Sequence, residues 1–233
     1  MSAILAVDTS TQACSVALHV DGVTMEDFRF APRQHNALIL PMIEQMLSQA
    51  SLSVAQLDAV AFGRGPGSFT GLRIAAGVVQ GLAYGANLPV IPVSTLMAMA
   101  LDGFKKTGAE NWLAALDARM GEIYLGGYHI SQKNGFVNLT EPEKVVKPEA
   151  LPTFSIAYQG IGSGWRYRQL LESNLPKPAE YVLETREPSA HCIADLAKIA
   201  WDKQEYVTAH EAIPVYLRDE ISWEKQPPKI GKR

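Results

Sequence analysis

Two stretches of this chain share one form. Leu5-Ala6-Val7-Asp8 and Ala114-Ala115-Leu116-Asp117 are each a short apolar run ending in an aspartate, and the aspartates are 109 residues apart. Each run passes a polar turn into an alternating stretch, Cys14 to Val20 after the first and Glu122 to Tyr128 after the second. Asp21-Gly22 turns the first stretch into Val23 to Phe30, which predicts a three-stranded antiparallel meander. Asn134-Gly135 turns the second toward Phe136 to Leu139. Helices and strands alternate after both meanders. The first copy continues as a helix from Gln34 to Ala50, a strand from Leu57 to Phe62, a helix to Gly85, a strand from Pro89 to Val93 and a helix from Ser94 to about Lys106. The second has a strand from Ser155 to Gln159, then Gly160, Gly162 and Gly164 in a loop before a helix from about Trp165 to Glu172. It ends in a strand from Tyr181 to Leu183 and a helix from Ser189 to Asp202. A meander followed by alternating helices and strands, occurring twice, predicts an α/β fold built by duplication, with the second copy degenerate.

The break at Lys105-Lys106-Thr107-Gly108 divides the chain into lobes at 1–105 and 106–210, the first completed by 211–222. Ile213 to Arg218 is apolar enough to dock back on a lobe. The basic end, 223–233, reads as a solvated tail. Composition narrows the function classes. A net charge of −3 supplies no basic field for autonomous nucleic-acid binding. Cys14 and Cys192 have no CxxC or His-paired spacing and are expected to be small buried residues in a reducing compartment. No basic region precedes the apolar start and no long apolar run could span a membrane, so a cytoplasmic location is expected.

The joint between the first copy's central strand and its next helix is glycine-rich: Gly63-Arg64-Gly65-Pro66-Gly67-Ser68-Phe69-Thr70-Gly71-Leu72-Arg73. Gly65 and Gly67 can take positive φ, Pro66 fixes the chain between them, and Ser68 or Thr70 can cap the helix. The backbone N–H groups of such a helix start can hold an anion. A tight turn without ligand is the plainer reading, because Gly71 is not followed by the Lys-Ser/Thr of a P-loop. The helix itself has only Arg73 and Gln80 as strongly polar members after Thr70, so it is expected to be buried on all sides. Gly77, Gly81 and Gly85 stand four apart and form one ridge, facing a neighbour within the domain or a partner. In the preceding helix Ile39, Ile43, Met46, Leu47 and Ala50 form the stripe over the sheet, Leu38 and Met42 flank it, and Pro41 kinks it or falls near its first turn.

Asp8 and Asp117 would face each other across a cleft if the two copies pack as lobes. In phosphoryl-transfer enzymes of that architecture such aspartates handle a metal or phosphates, followed by a glycine turn. Here Thr9-Ser10-Thr11-Gln12 has no glycine, and Gly121 comes only after Ala118-Arg119-Met120. Hydrogen bonding to their own turns is the competing role. His19, His35, His129, His191 and His210 include no HxxxH or HExxH pair. His35, beside Arg33 and Gln34, is expected to help cap its helix. Ser68 has neither a nucleophile elbow nor an obvious histidine base.

Ala6-Val7-Asp8-Thr9-Ser10, Arg33-Gln34-His35, the run Gly63 to Arg73, Pro92-Val93-Ser94-Thr95-Leu96, Asp117 to Tyr124 and Pro214 to Arg218 together resemble the bacterial TsaB (YeaZ) family, over residues 1 to about 225. The resemblance implies an actin, sugar-kinase and Hsp70-like (ASKHA) fold of two ribonuclease-H-like lobes. It implies a part in forming N6-threonylcarbamoyladenosine at position 37 of tRNAs reading codons that begin with A. The catalytic paralogue TsaD carries a His-His-Met-Glu-Gly-His metal segment where this chain has Ser94-Thr95-Leu96-Met97-Ala98-Met99, so no metal and no catalytic residue are expected. The implied role is a non-catalytic scaffold for TsaD, joined by TsaE and supplied by TsaC. It self-pairs when alone, has no cofactor of its own, and admits ATP or ADP only at the interface shared with TsaD and TsaE. tRNA is reached only through the complex. The implied partner surface comprises Leu38, Met42, Gln45, Arg73, Gly77, Gln80, Gly81, Tyr84 and Gly85. The glycine-rich loop contributes Gly65, Pro66, Gly67, Ser68 and Thr70, and Asp8 and Asp117 are degenerate phosphate-loop positions. The alternative class is an enzyme, either a metallopeptidase-like glycoprotease or an ASKHA small-molecule kinase.

Overall fold

A computed structural model describes residues 2–133 and 135–218. Asn134 of the expected second turn, and the tail from 219 on, lie outside the described residues. The first sheet contains β1 (Ala3–Asp8), β2 (Ala13–Val20), β3 (Val23–Phe30), β4 (Ala59–Gly65) and β5 (Val90–Ser94) in the order β3-β2-β1-β4-β5. The second contains β6 (Asn111–Arg119), β7 (Glu122–Ile130), β8 (Val137–Val146), β9 (Gln159–Ile161) and β10 (Val182–Leu183) in the order β10-β9-β6-β7-β8. Pairing repeats strand for strand. β1 is antiparallel to β2 and parallel to β4, and β6 is antiparallel to β7 and parallel to β9. The fold is α/β with two mixed sheets of one topology.

Five layers result. Helices α1 (His35–Gln49) and α2 (Phe69–Ala86) cover the outer face of the first sheet, with Leu5, Val7, Val16, Val60 and Phe62 beneath them. The opposite face, carrying Ile4, Ala6, Ala59, Ala61 and Ile91, packs on a middle layer made by α3 (Thr95–Thr107) and α5 (Ala190–Asp202). That layer also receives Trp112, Ala114, Leu116 and Tyr128 from the second sheet. The two helices are exchanged: α3 follows the first sheet yet lies on β6 and β7, and α5 follows the second yet lies across all five strands of the first. Leu113, Ala115, Ile123 and Leu125 face outward to Trp165, Phe154, Tyr158 and α4 (Arg168–Ser173). This alternation of side chains between inner and outer faces, apolar on both, is what a pleated strand buried on both sides shows.

Several elements depart from the expected ones. Segment 155–158 is not a strand, and β9 begins only at Gln159. Phe154 and Tyr158 meet edge to face with centroids 5.9 Å apart, whereas residues four apart on a strand are separated by about 13 Å. The helix expected from Trp165 begins as a 3-10 turn, Ser163–Tyr167, because Trp165 is buried over Gly160 and its Nε1 donates to Leu113 O at 2.8 Å. β8 runs on to Val146 through Thr140-Glu141-Pro142-Glu143. It is an edge strand, where proline and charge are tolerated. Pro41 lies inside α1, which continues through it. Met42 is 1% exposed and belongs to the sheet-facing stripe, not to its flank.

Helix α2 is not buried on all sides. Leu72, Ala75, Ala76, Val79 and Ala83 face the sheet, while Arg73, Gly77, Gly81, Tyr84 and Gly85 are exposed. Among the described residues, a Cβ placed at Gly77, Gly81 or Gly85 would meet nothing within 4 Å. Gly103 in α3 is the opposite case, since a Cβ there would lie 2.7 Å from the Trp112 ring. Gly81→Ala is therefore expected to stabilise the fold by about 0.5–1 kcal/mol through helix propensity. Gly103→Ala is expected to destabilise it by about 1–3 kcal/mol through overpacking. Urea unfolding of the two variants measures both signs.

Candidate functional site

The glycine-rich loop folds around the turn that follows β1. Ser68 N donates to Ser10 O at 2.6 Å, and Thr9 Oγ1 donates to Gly71 O at 2.7 Å. A Cβ at Gly67 would stand 2.4 Å from Ser10 O, and one at Gly71 would stand 1.9 Å from Thr9 O. These glycines admit a neighbouring backbone. Gly65 has φ 110° and precedes a cis bond to Pro66; Gly67 has no positive φ, and its need for glycine is the room it leaves Ser10. Ser68 is the N-cap of α2, its Oγ accepting from Gly71 N, so the capping role belongs to Ser68 and Thr70 is an exposed first-turn residue.

Asp8 ends β1 on the face turned to the middle layer and is fully buried. Its Oδ1 accepts from Ser10 N at 2.9 Å and Ser10 Oγ at 2.8 Å, while Oδ2 is buried without a hydrogen-bond partner. Oδ2 leaves no room at Gly63, where a Cβ would be 1.9 Å away, and Ile193 of α5 closes the same space. Burial pushes the Asp8 carboxyl up to about 6, against the two Ser10 hydrogen bonds and with a further upward contribution from Glu187. Asp117 is its counterpart in the repeat and binds its own turn in the same way, Arg119 N donating to Oδ1 at 2.9 Å. It differs in charge partner: Arg166 Nη1 lies 3.1 Å and Arg119 Nη1 3.8 Å from its Oδ2. The two aspartates thus have the same local turn and different electrostatics. One is enclosed without a cation, and the other is held by two arginines.

At the N-terminus of α3, Ser94 caps the helix by accepting from Met97 N, and its hydroxyl also donates to Glu143 Oε1. Tyr128 OH donates to the same oxygen at 2.6 Å, and burial with the adjacent Glu143 raises the phenol well above its ordinary value. This network ties the end of β5 to β7 and β8. The sequence reading missed Tyr128 and Glu143, because both sit in strands whose partners come from elsewhere. Among the described residues, no group of three or more His, Cys, Asp or Glu side chains is placed to hold a metal ion. His35 does not cap α1; its Nε2 lies 3.0 Å from Ala13 O and ties the helix start to β2. Cys14 and Cys192 are free and buried.

The expected partner-facing residues separate into groups. Gly77, Gly81, Tyr84 and Gly85 share one exposed face, with Tyr84 at 85% exposure. Leu38 is half-buried and Gln45 is exposed on α1. Arg73 and Gln80 instead hold the chain's own end. Arg73 Nε donates to Tyr216 OH at 3.2 Å, Gln80 Nε2 donates to Ala212 O at 3.0 Å, and Val215 N donates to Arg64 O at 2.8 Å. Phe69 packs against Tyr216 in a tilted arrangement, with centroids 5.4 Å apart. Met42 offers no surface.

A carboxyl raised from 3.8 to about 6 by folding costs nothing below the unfolded value. The cost grows between the two values and is complete above the folded one. Asp8→Asn is therefore expected to gain stability relative to the parent chain as pH rises from about 4 to about 7.5, by on the order of 2–3 kcal/mol. Urea midpoints of both proteins across that range measure it; a difference that stays flat with pH contradicts the assignment.

Residues 29–213 match the family model described as TsaD, tRNA N6-adenosine threonylcarbamoyltransferase. The chain is 42% identical to the tRNA threonylcarbamoyladenosine biosynthesis protein TsaB of Escherichia coli (strain K12), over 97% of this chain and 99% of that one. It is 40% identical to the protein of the same name from Haemophilus influenzae, over 96% and 97%. The solved structure of YeaZ from Pseudomonas aeruginosa superposes with a TM-score of 0.85 at 42% identity, covering 93% of this chain and all of that one. On sequence and fold together, the chain belongs to the TsaB (YeaZ) family, within the group that the TsaD model describes.

Proposed function

We propose that this chain is a non-catalytic scaffold subunit that works with TsaD, TsaE and TsaC in forming N6-threonylcarbamoyladenosine at position 37 of tRNAs reading codons that begin with A. The names of its relatives place them in that biosynthesis. The observation that carries the scaffold role is the face of α2. Three glycines in a helix interior each give up roughly 0.5–1 kcal/mol relative to alanine, yet among the described residues no atom comes close enough to explain them. Close approach by a helix outside the chain supplies the explanation. Tyr84 at the end of the ridge adds an aromatic anchor of the kind that dominates interface energetics. The occupant under this reading is TsaD, or a second copy of the chain when TsaD is absent. TsaE joins the pair, TsaC supplies threonylcarbamoyl-adenylate, and tRNA is met only through the complex in the cytoplasm.

The chain's own clefts support a structural role. The loop N–H of Ser68 and the carbonyl of Gly71 are engaged by Ser10 and Thr9, and Asp117 is paired with arginines. The position of TsaD's metal segment is filled by Ser94, bonded to Glu143. Under this reading the chain needs no cofactor of its own, with ATP or ADP admitted at the interface shared with TsaD and TsaE.

Gly81→Arg is expected to fold normally and to weaken TsaD binding by at least about tenfold, the scale of a lost central contact. Gly81→Ala tests whether a single methyl is already too large. Titration calorimetry with purified TsaD measures both, and undiminished binding by a folded Gly81→Arg removes α2 from the interface. Reconstitution on unmodified tRNA with TsaC, TsaD and TsaE tests the function itself: modified tRNA is expected only when this chain is added. Equal product without it overturns the scaffold role.

A further inference from the structure

Where edge strand β5 of the first sheet comes near edge strand β8 of the second, the chain leaves a cavity of about 330 Å³. Neither Asp8 nor Asp117 lines it, so it is separate from the two aspartate turns. Ile91, Val93 and Leu196 form its buried apolar wall, continued by Met97 and Ile199. Its volume lies at the small end of the range of pockets that enclose organic ligands, and such pockets combine apolar walls with a few polar groups.

Two of the three charged side chains here are cationic. Arg64 and Lys203 line the cavity, and Glu205, which is exposed, is the single carboxylate in its wall. Arg64 Nε is buried with no hydrogen-bond partner, and no ion pair involves Arg64 among the described residues. That N–H is closed to the cavity as well as to water. The Arg64 guanidinium as a whole, however, has no hydrogen bond or ion pair among the described residues, and an anion in the cavity gives its cavity-lining N–H groups an acceptor. Lys203 is exposed, with its Nζ 4.7 Å from the centre of the Phe136 ring. Ser94, the N-cap of the 13-residue helix α3, also lines the cavity, but its hydroxyl is given to Glu143. That carboxylate offsets the positive end of the helix, so the attraction rests on Arg64 and Lys203.

We propose that this cavity binds a small amphipathic organic anion, a carboxylate or a phosphate ester with an apolar body. Arg64 takes the anionic group, the body lies against Val93, Met97, Leu196 and Ile199, and Lys203 strengthens the field from the exposed side. The site is independent of the α2 surface and stands whether or not TsaD is the partner there.

Phenylacetate and phenyl phosphate, with neutral phenylacetamide as control, test the site by titration calorimetry and by amide chemical-shift mapping on the intact chain. At least one anion is expected to bind, with shifts in 91–97 and 196–203, and the tighter of the two identifies carboxylate or phosphate as the class. Arg64→Gln is expected to weaken it about tenfold, the loss of one charge-assisted contact. Lys203→Glu, a surface change that leaves the core untouched, is expected to weaken it several-fold and decides the matter if Arg64→Gln does not fold. No anion binding up to about 10 mM, equal binding of phenylacetamide, or affinity unchanged in the folded variants overturns the proposal.

Discussion

The fold depends on one close approach of backbone to backbone, where the Asp8-Thr9-Ser10 turn lies on the start of α2. Gly63, Gly67 and Gly71 each lack room for a Cβ because Asp8, Ser10 and Thr9 occupy it. The contact sets where α2 begins, since Ser68 N is committed to Ser10 O while Ser68 Oγ caps the helix. It also fixes the end of β4 beside the end of β1, and thereby the parallel pairing at the centre of the first sheet. Glycine at these positions answers to packing, because a methyl at any of the three would have to displace main chain or a buried carboxylate.

The exchanged helices give the second constraint. α5 is laid on the first sheet partly through polar groups. Glu26 of β3 accepts from Ser189 Oγ and His191 N at its start, and Ser15 Oγ of β2 accepts from Ala190 N. The helix N-terminus belonging to one sheet is therefore satisfied by strands of the other. With α3 lying on β6 and β7, the middle layer forms one continuous core in which neither sheet's inner face is complete without the other copy's helix. The Ser94, Tyr128 and Glu143 bonds cross the same junction with polar groups.

Much of this was legible in the residues. The repeat of an apolar run ending in aspartate located β1 and β6, and their partners followed from the alternation and turn chemistry. What escaped depends on neighbours distant in sequence. The start of β8 followed from the turn into Phe136 to Leu139, but its continuation to Val146 hid behind Pro142 and three acidic or basic neighbours because edge strands obey looser rules. Segment 155–158 read as a strand on composition, yet the packing of Phe154 on Tyr158 bends it. Met42 lay close enough to the stripe of α1 to be placed on its flank, and the width of the sheet beneath it decided its burial. The unequal environments of Asp8 and Asp117 are tertiary properties, since Arg166 reaches Asp117 from the 3-10 turn ahead of α4 and Ile193 reaches Gly63 beside Asp8 from α5.

Two kinds of glycine therefore coexist within a few turns of one another. At Gly63, Gly67, Gly71 and Gly103 the missing side chain is filled space, and the chain's own atoms account for the residue. At Gly77, Gly81 and Gly85 the missing side chain is open space. Folding alone gains from alanine at the second set and loses from it at the first. The open ridge is the feature on which the proposed scaffold role rests. The neighbouring Arg73 and Gln80 are engaged by 212–216, so the exposed part of α2 that makes no such contact is the glycine ridge with Tyr84.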